Sequence, residues 1–223
     1  MAQKLKLSKE TVNVLKNFNQ INPMIYFRKG KVISTISPGK TIFAKYECEE
    51  EFKSDFGIYK LDKLLSILSF FDEPELIIDS KCLTVKSDKQ SAKLAFADPS
   101  VLVYPTKDKI DLPTIEAEFN ITEENINSIT KAFSVMELPF VSFECDGAML
   151  YMKALNHKDP NGDAYTIELG ETTGPSFVAL FNINNLKMIP ADYGVQISAK
   201  GIAEFKSDKL IYWIAVEIDS EFA

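Results

Sequence analysis

Histidine is almost missing from this chain: His157 is the single one among 223 residues. Ser-His-Asp and Cys-His catalysis each need a histidine held against a partner. His157 sits in the polar run NHKDPNGD beside a lysine, a setting that predicts solvated surface rather than a general base. Cysteine is scarce as well. Cys48, Cys82 and Cys145 are odd in number and far apart, without the close C-x-x-C pairs of a structural zinc site, so reduced thiols and no metal are expected. Neither G-x-G-x-x-G nor a Walker A run is present, so no nucleotide cofactor is expected. Apolar runs stay far short of the roughly 20 residues that span a bilayer, and the opening run MAQKLKLSKE lacks the apolar stretch of a secretory signal. Together these absences predict neither an enzyme nor a membrane protein. A basic excess is lacking too. Lysine and arginine number 25 against 32 acids, a net charge of −7. A chain this acidic binds nucleic acid only where its positive charges are gathered on one surface.

What is present is a repeat. In residues 4–8, Leu5 and Leu7 alternate with Lys4 and Lys6, a strand pattern. Ser8 then stands as an N-cap before a helical stretch. Residues 115–122 read the same way: Ile115, Ala117, Phe119 and Ile121 alternate with polar residues, and Thr122 caps the next helix. A shift of 114 positions places Leu5 on Phe119, Leu7 on Ile121, Ser8 on Thr122, Val12 on Ile126 and Leu15 on Ile129. Lys29-Gly30 and Asp146-Gly147 each separate apolar runs and predict hairpin turns. Residues 56–68 and 178–189 each read as a strand running into a short helix, and both halves finish in strands. The chain is therefore expected to be a duplicated domain with domains 1–96 and 115–223. Between them lies a connector, 97–114, stiffened by Pro99, Pro105 and Pro113. Many strands and two helices per half predict an α+β fold, antiparallel sheets with helices packed on one face.

The expected helices carry a charge asymmetry. On a helical wheel Val12, Val14, Leu15 and Phe18 form one side, and Lys9, Asn13, Lys16 and Gln20 form a stripe opposite. In the second helix Leu61, Leu64, Leu65, Ile67 and Leu68 turn inward and Asp62, Lys63, Ser66 and Ser69 outward. The third turns Ile126, Ile129 and Phe133 inward and Asn127, Lys131 and Ser134 outward, and the fourth leaves Asn184 and Lys187 away from Leu186 and Ile189. Segments 4–19, 60–69, 122–136 and 183–190 hold eight lysines and four acids, a net +4, which leaves −11 for the rest. Solubilising lysines alone would not be concentrated on helices while the sheets are acidic.

The runs KLSKETVNVLKNFNQIN, FGIYKLDKLLSILSFF, ADPSVLVYP and LFNINNLKMIPADYGVQISAKG resemble the DNA polymerase sliding clamp of T-even-type bacteriophages. The resemblance is collinear over essentially the whole chain. It implies the DNA-clamp fold, two similar domains each with antiparallel β-sheets and two helices, in a ring-shaped homotrimer around duplex DNA. The proliferating-cell-nuclear-antigen clamps share that architecture. It implies a processivity factor that tethers the replicative DNA polymerase and is loaded by an ATP-driven clamp loader. It also implies a role in late transcription with sigma or co-activator proteins, in the cytoplasm of the infected bacterial host. On this reading Lys9, Lys16, Lys63, Lys131 and Lys187 face DNA, with Lys4, Lys6 and Lys60 nearby, and Glu123 and Glu124 temper the third helix. Scattered lysines suit a ring that must hold phosphates without reading bases. By analogy the subunit interface pairs Ser91, Lys93, Leu94 and Phe96 with Tyr165, Ile167 and Leu169. Leu102 and Tyr104 of the connector and Phe222 near the end are expected to form the partner pocket. The alternative is a phage structural or assembly protein built on a duplicated β-rich domain.

Smaller features read plainly. Residues 159–163, DPNGD, imitate the start of a calcium loop, but Ala164 and Gly170 occupy the places of its glycine and glutamate, so a turn is expected. Trp213 is expected in the core of a late strand.

Overall fold

A computed structural model describes residues 2–159 and 161–223. The chain divides into two compact units, Met1–Lys109 and Ile110–Ala223.

The first unit runs β1 (Gln3–Leu5), α1 (Lys9–Ile21), β2 (Ile25–Phe27), β3 (Gly30–Ile36), β4 (Ile42–Phe52), β5 (Phe56–Ile58), α2 (Leu61–Leu68), β6 (Glu75–Ile78), β7 (Cys82–Ser87) and β8 (Gln90–Ala95). Helix α1 starts where expected, since the Ser8 hydroxyl accepts from the Thr11 N–H at 3.1 Å. It stops at Asn22, the residue before Pro23, where helical backbone is disfavoured. Thr11, Val14, Leu15, Phe18 and Ile21 are buried, the apolar stripe of a helix lying on a core. A four-stranded antiparallel sheet has the order β1-β6-β7-β8. Strands β3 and β4 form a hairpin. The Lys29-Gly30 turn departs from expectation. Strand β2 pairs with β5, Ile25 opposite Ile58, so Lys29-Gly30 joins two strands that are not ladder neighbours. The core is aromatic: Phe56 stacks on Phe27 at 4.6 Å and on Phe96 at 4.9 Å.

The second unit repeats the order as β9 (Ala117–Ile121), α3 (Glu123–Val135), β10 (Phe140–Cys145), β11 (Met149–Leu155), β12 (Ala164–Glu171), β13 (Phe177–Asn182), β14 (Tyr193–Ser198), β15 (Ile202–Lys206) and β16 (Leu210–Ala215), then adds β17 (Glu221–Phe222). Strands β16-β15-β14-β9 are successive antiparallel neighbours, and a second sheet is ordered β12-β11-β10-β13-β17. Here Asp146-Gly147 is a true hairpin turn. Cys145 lies opposite Leu150, the Asp146 carboxylate accepts from the Ala148 and Met149 N–H groups, and Gly147 has φ +96°. Phe143 sits among Phe119, Phe181 and Phe205, and Trp213 is buried on β16.

Where the sequence predicts a fourth helix over 183–190, only a 3-10 turn forms, Ile183–Asn185. Pro190 forces Ile189 out of helical backbone, and asparagines 184 and 185 are weak helix formers. The Ile189 backbone is held by phenols instead. Its N–H donates to the Tyr212 hydroxyl at 3.2 Å, and its carbonyl accepts from the Tyr193 hydroxyl at 2.5 Å. Burial, reinforced by Tyr212, pushes the Tyr193 phenol far above its ordinary value, so that donor keeps its proton.

His157 also differs from expectation. Its side chain is only 16% exposed, its Nε2 lies 3.1 Å from the Asp219 carboxylate, and its ring meets Phe140 edge-on. The contact ties the 156–159 turn to the segment before β17. Gly162 N–H donates to the Asp159 carbonyl at 3.0 Å, so the DPNGD run turns as expected, with Pro160 itself outside the described residues.

Candidate nucleic-acid interface

The helices carry their lysines on the side away from the packed stripe. On α1, Lys9, Asn13, Lys16 and Gln20 are exposed while Val14, Leu15 and Phe18 are at most 3% exposed. Helix α2 buries Leu61, Leu64, Ile67 and Leu68 and exposes Lys63. Helix α3 buries Ile126, Ile129 and Ala132 and exposes Lys131 with Asn127 and Ser134. Lys187 is different. With its helix reduced to one turn it lies in irregular backbone and is half-buried.

The local acids sort these cations. Lys4 pairs with Glu75 and Lys6 with Glu73, each at 3.3 Å. Lys9, Lys16, Lys63 and Lys131 make no ion pair among the described residues. Their charge is therefore available to an anion, whereas that of Lys4 and Lys6 is partly answered by the sheet. The acids at the helix starts act on backbone instead. Glu50 of β4 is buried at the α1 N-terminus, where it accepts from the Ser8 N–H and from the Thr11 hydroxyl at 2.7 Å. Burial works against the carboxylate, but these hydrogen bonds prevail and hold its pKa below the ordinary value. At α3 the Asp192 carboxylate accepts from the Glu123 N–H at 2.8 Å, and Thr122 with Asn125 closes a capping box.

Strands β8 and β12 are among the edge strands of their sheets: among the described residues β8 is paired with β7 alone and β12 with β11 alone. Ser91 and Lys93 are exposed on β8, and Tyr165 is exposed on β12 with Ile167 and Leu169 half-buried. Leu94 is 8% exposed and Phe96 stacks on Phe56, so both side chains serve the core of their own unit.

The connector residues also turn inward. Leu102 is 8% exposed, and its Cδ1 fills the space above Gly57, where a Cβ would lie 2.3 Å away. Tyr104 stacks on Tyr26 at 4.5 Å. Asn22 donates to the Val103 carbonyl at 2.8 Å and Arg28 pairs with Asp108 at 2.8 Å, so residues 97–109 pack with the first unit. Alternation leaves Val101 and Val103, not Leu102, as the outward residues, 56% and 37% exposed. Phe222 belongs to the second unit, where its ring lies parallel to that of Phe177.

Comparison with known proteins agrees with this architecture. Residues 7–104 match the family described as DNA polymerase processivity factor, and residues 149–218 match the family described as gp45 sliding clamp, C terminal. The chain belongs to the sliding-clamp family of DNA polymerase processivity factors. It is not an enzyme. The sliding clamp of Escherichia phage RB69 is 27% identical over 97% of this chain and 98% of its own. That of Enterobacteria phage T4 is 28% identical with the same coverage. That of Vibrio phage KVP40 is 29% identical over 96% of this chain and 99% of its own. Among solved structures, the proliferating cellular nuclear antigen of Entamoeba histolytica superposes with a TM-score of 0.72 at 15% identity, covering 97% of this clamp chain and 98% of that one. The A. fulgidus PCNA bound to the C-terminal region of FEN-1 gives 0.71 at 18% identity, covering 99% and 100%. These two likenesses establish the clamp fold. No helix among the described residues is long and apolar enough to cross a membrane.

Proposed function

We propose that this clamp closes as a homotrimer around duplex DNA and tethers a replicative polymerase in the cytoplasm of an infected bacterium. The observation that carries the reading is that each unit has ammonium groups without an ion-pair partner, among the described residues, on its outward helix faces. Lys9, Lys16, Lys63 and Lys131 meet phosphates, and the half-buried Lys187 adds a weaker contact. Each such contact is screened and worth about 1 kcal/mol or less, so the ring holds DNA without fixing a register. The two domains, 1–96 and 115–223, each fall within one compact unit, and most of the connector, 97–114, is grouped with the first. Subunits join by pairing β8 with β12, which protects two free edges at once. Ser91, Lys93, Tyr165, Ile167 and Leu169 supply side chains there, and Leu94 and Phe96 supply backbone. Polymerase and an ATP-driven loader dock beside the connector, on Val101 and Val103, with Leu102 and Tyr104 as its packed base and Phe222 as a further contact. Sigma or co-activator proteins of late transcription use the same kind of docking.

The test reverses the lysines. The combined substitution of Lys9, Lys16, Lys63, Lys131 and Lys187 by glutamate leaves the buried stripes intact. Sizing and circular dichroism should show a folded trimer as in wild type, and loading onto DNA and processive synthesis should be lost. Processive synthesis by a folded quintuple variant at physiological salt would refute the assignment of the lining. A wild-type chain that stays monomeric at high concentration would refute the ring.

A further inference from the structure

The two units seal the seam between their strand layers differently. In the first, Gln3 of β1 reaches across to β4. Its amide donates to the Glu51 carbonyl at 2.6 Å and accepts from the Lys53 N–H at 2.8 Å. The side chain acts as a missing rung between two strand edges. The residue 114 positions later is Ala117 of β9, which is buried and too short to cross. In its place the second unit has a cavity of about 370 Å³ between the β9 and β12 layers. Its walls include Ala117, Phe119, Leu150, Leu169 and Phe177. Three carboxylates, Glu116, Glu118 and Glu171, stand around it. Strand β9 has a ladder partner on one side only, β14, among the described residues. At Gly170 the backbone takes φ +138° and the β11–β12 register shifts at Leu150/Tyr151, and a Cβ on Gly170 would meet nothing within 4 Å. The seam is thus open, with apolar side chains on part of its wall and carboxylates, Asn120 and Thr172 on the rest.

We propose that this seam is a docking groove for an extended, lysine- or arginine-bearing segment of a partner protein. The backbone of that segment adds to the free edge of β9, the mode in which main-chain hydrogen bonds give affinity and alternate side chains give specificity. Apolar side chains on one face of the segment fill the space above Ala117, Phe119 and Leu150. Basic side chains on the other face meet Glu118 and Glu171, both exposed. Glu118 accepts from the Gln196 side chain at 3.1 Å and keeps its other oxygen for a cation, whereas Glu116 is less available, because its carboxylate accepts from the Ala199 N–H at 2.7 Å and it is half-buried. Charge complementarity selects a basic occupant, since every charged residue around the cavity is acidic. The groove shares no residue with the lysine faces or the connector, and only Leu169 also belongs to the proposed β8–β12 joint, so the free edge of β9 can be tested apart from the DNA reading.

A fluorescein-labelled peptide of alternating valine and lysine serves as the probe, titrated by anisotropy against the full-length clamp. Saturable binding is expected, with amide shifts in an isotope-labelled clamp confined to β9 and the end of β12. A117Q restores the rung of the first unit and should weaken binding by about tenfold or more. E118Q/E171Q leaves the shape of the seam intact and should weaken binding by about fivefold while flattening its salt dependence. A valine–glutamate peptide should not bind. Equal affinity for wild type and both variants would overturn the proposal, as would no binding by wild type or shifts located elsewhere. Resonances of β9, which takes no part in the proposed β8–β12 joint, that move with clamp concentration alone would mean that a second copy of the chain fills the seam, and would also overturn it.

Discussion

Helix α1 and helix α3 occupy the same place in the repeat and share a local cap, Ser8 or Thr122, yet the acid that reaches each first turn sits in an opposite setting. At α1 a buried carboxylate, Glu50, reaches in from β4 and satisfies the Ser8 N–H and the Thr11 hydroxyl. At α3 the cap is local and exposed, Thr122 with Asn125, and the exposed Asp192 carboxylate accepts one further bond from the Glu123 N–H. The second helices diverge further, from the eight residues of α2 to the single turn Ile183–Asn185. The same architecture is kept by different local chemistry. What both copies preserve is the apolar stripe and a lysine on the face opposite it, the features that the fold and the DNA reading each require.

Removing Glu50 should break the comparison most sharply. E50Q replaces a charge-assisted acceptor pair by a neutral amide and should cost about 1–3 kcal/mol in a denaturant titration at neutral pH. D192N, at the exposed counterpart, should change little. The pH dependence has a definite sign. Glu50 has a lowered native pKa, so its contribution is complete above the ordinary value of 4.5 and is lost as pH falls through the lowered one. The stability gap between wild type and E50Q should therefore narrow in acid. A gap that is constant from neutral pH into acid would show that Glu50 acts by packing rather than by charge.

The rung at Gln3 should matter less. Q3A deletes both bonds to β4 and should cost about 1 kcal/mol, with faster hydrogen exchange at the Lys53 amide. Unchanged exchange would mean that β1 and β4 need no tie. The smallest effect is expected at Pro190. P190A removes the residue that stops the fourth helix, but the Tyr193 and Tyr212 hydroxyls still hold the Ile189 backbone. Stability should move by only a few tenths of a kcal/mol with no new helical signal in circular dichroism. A gain of a full helical turn would show that the proline alone limits this segment.

Much of this was legible in the residues. The alternation around Leu5 and Phe119, the caps Ser8 and Thr122, and the wheel positions of Lys9, Lys16, Lys63 and Lys131 all follow from local periodicity, which tertiary packing then uses. The misreadings come from tertiary choices. Lys29-Gly30 has hairpin chemistry, yet Ile25 and Phe27 pair with β5, a partner that local patterning does not specify. His157 looked solvated because its partner, Asp219, is distant in sequence. Leu102 looked like an open anchor because nothing local says that Gly57 leaves room for it. Glu50 was missed although a signal existed. It shares strand parity with Tyr46, Cys48 and Phe52, all buried, while Glu47, Glu49 and Glu51 alternate outward. A carboxylate on the buried face of a strand must find donors.

The placement of the thiols has a practical consequence. Cys48, Cys82 and Cys145 are all buried and unbridged. For Cys48, burial and the neighbouring Glu50 push the thiol up to about 11, which leaves almost no thiolate at neutral pH. At Cys48 alkylation is therefore gated by opening of the surrounding fold rather than by the intrinsic reactivity of sulfur. Because Cys48 lies on β4 of the first unit and Cys145 lies at the end of β10 in the second, single-cysteine versions of the chain would time the opening around each thiol separately. The protein carries its own pair of stopwatches.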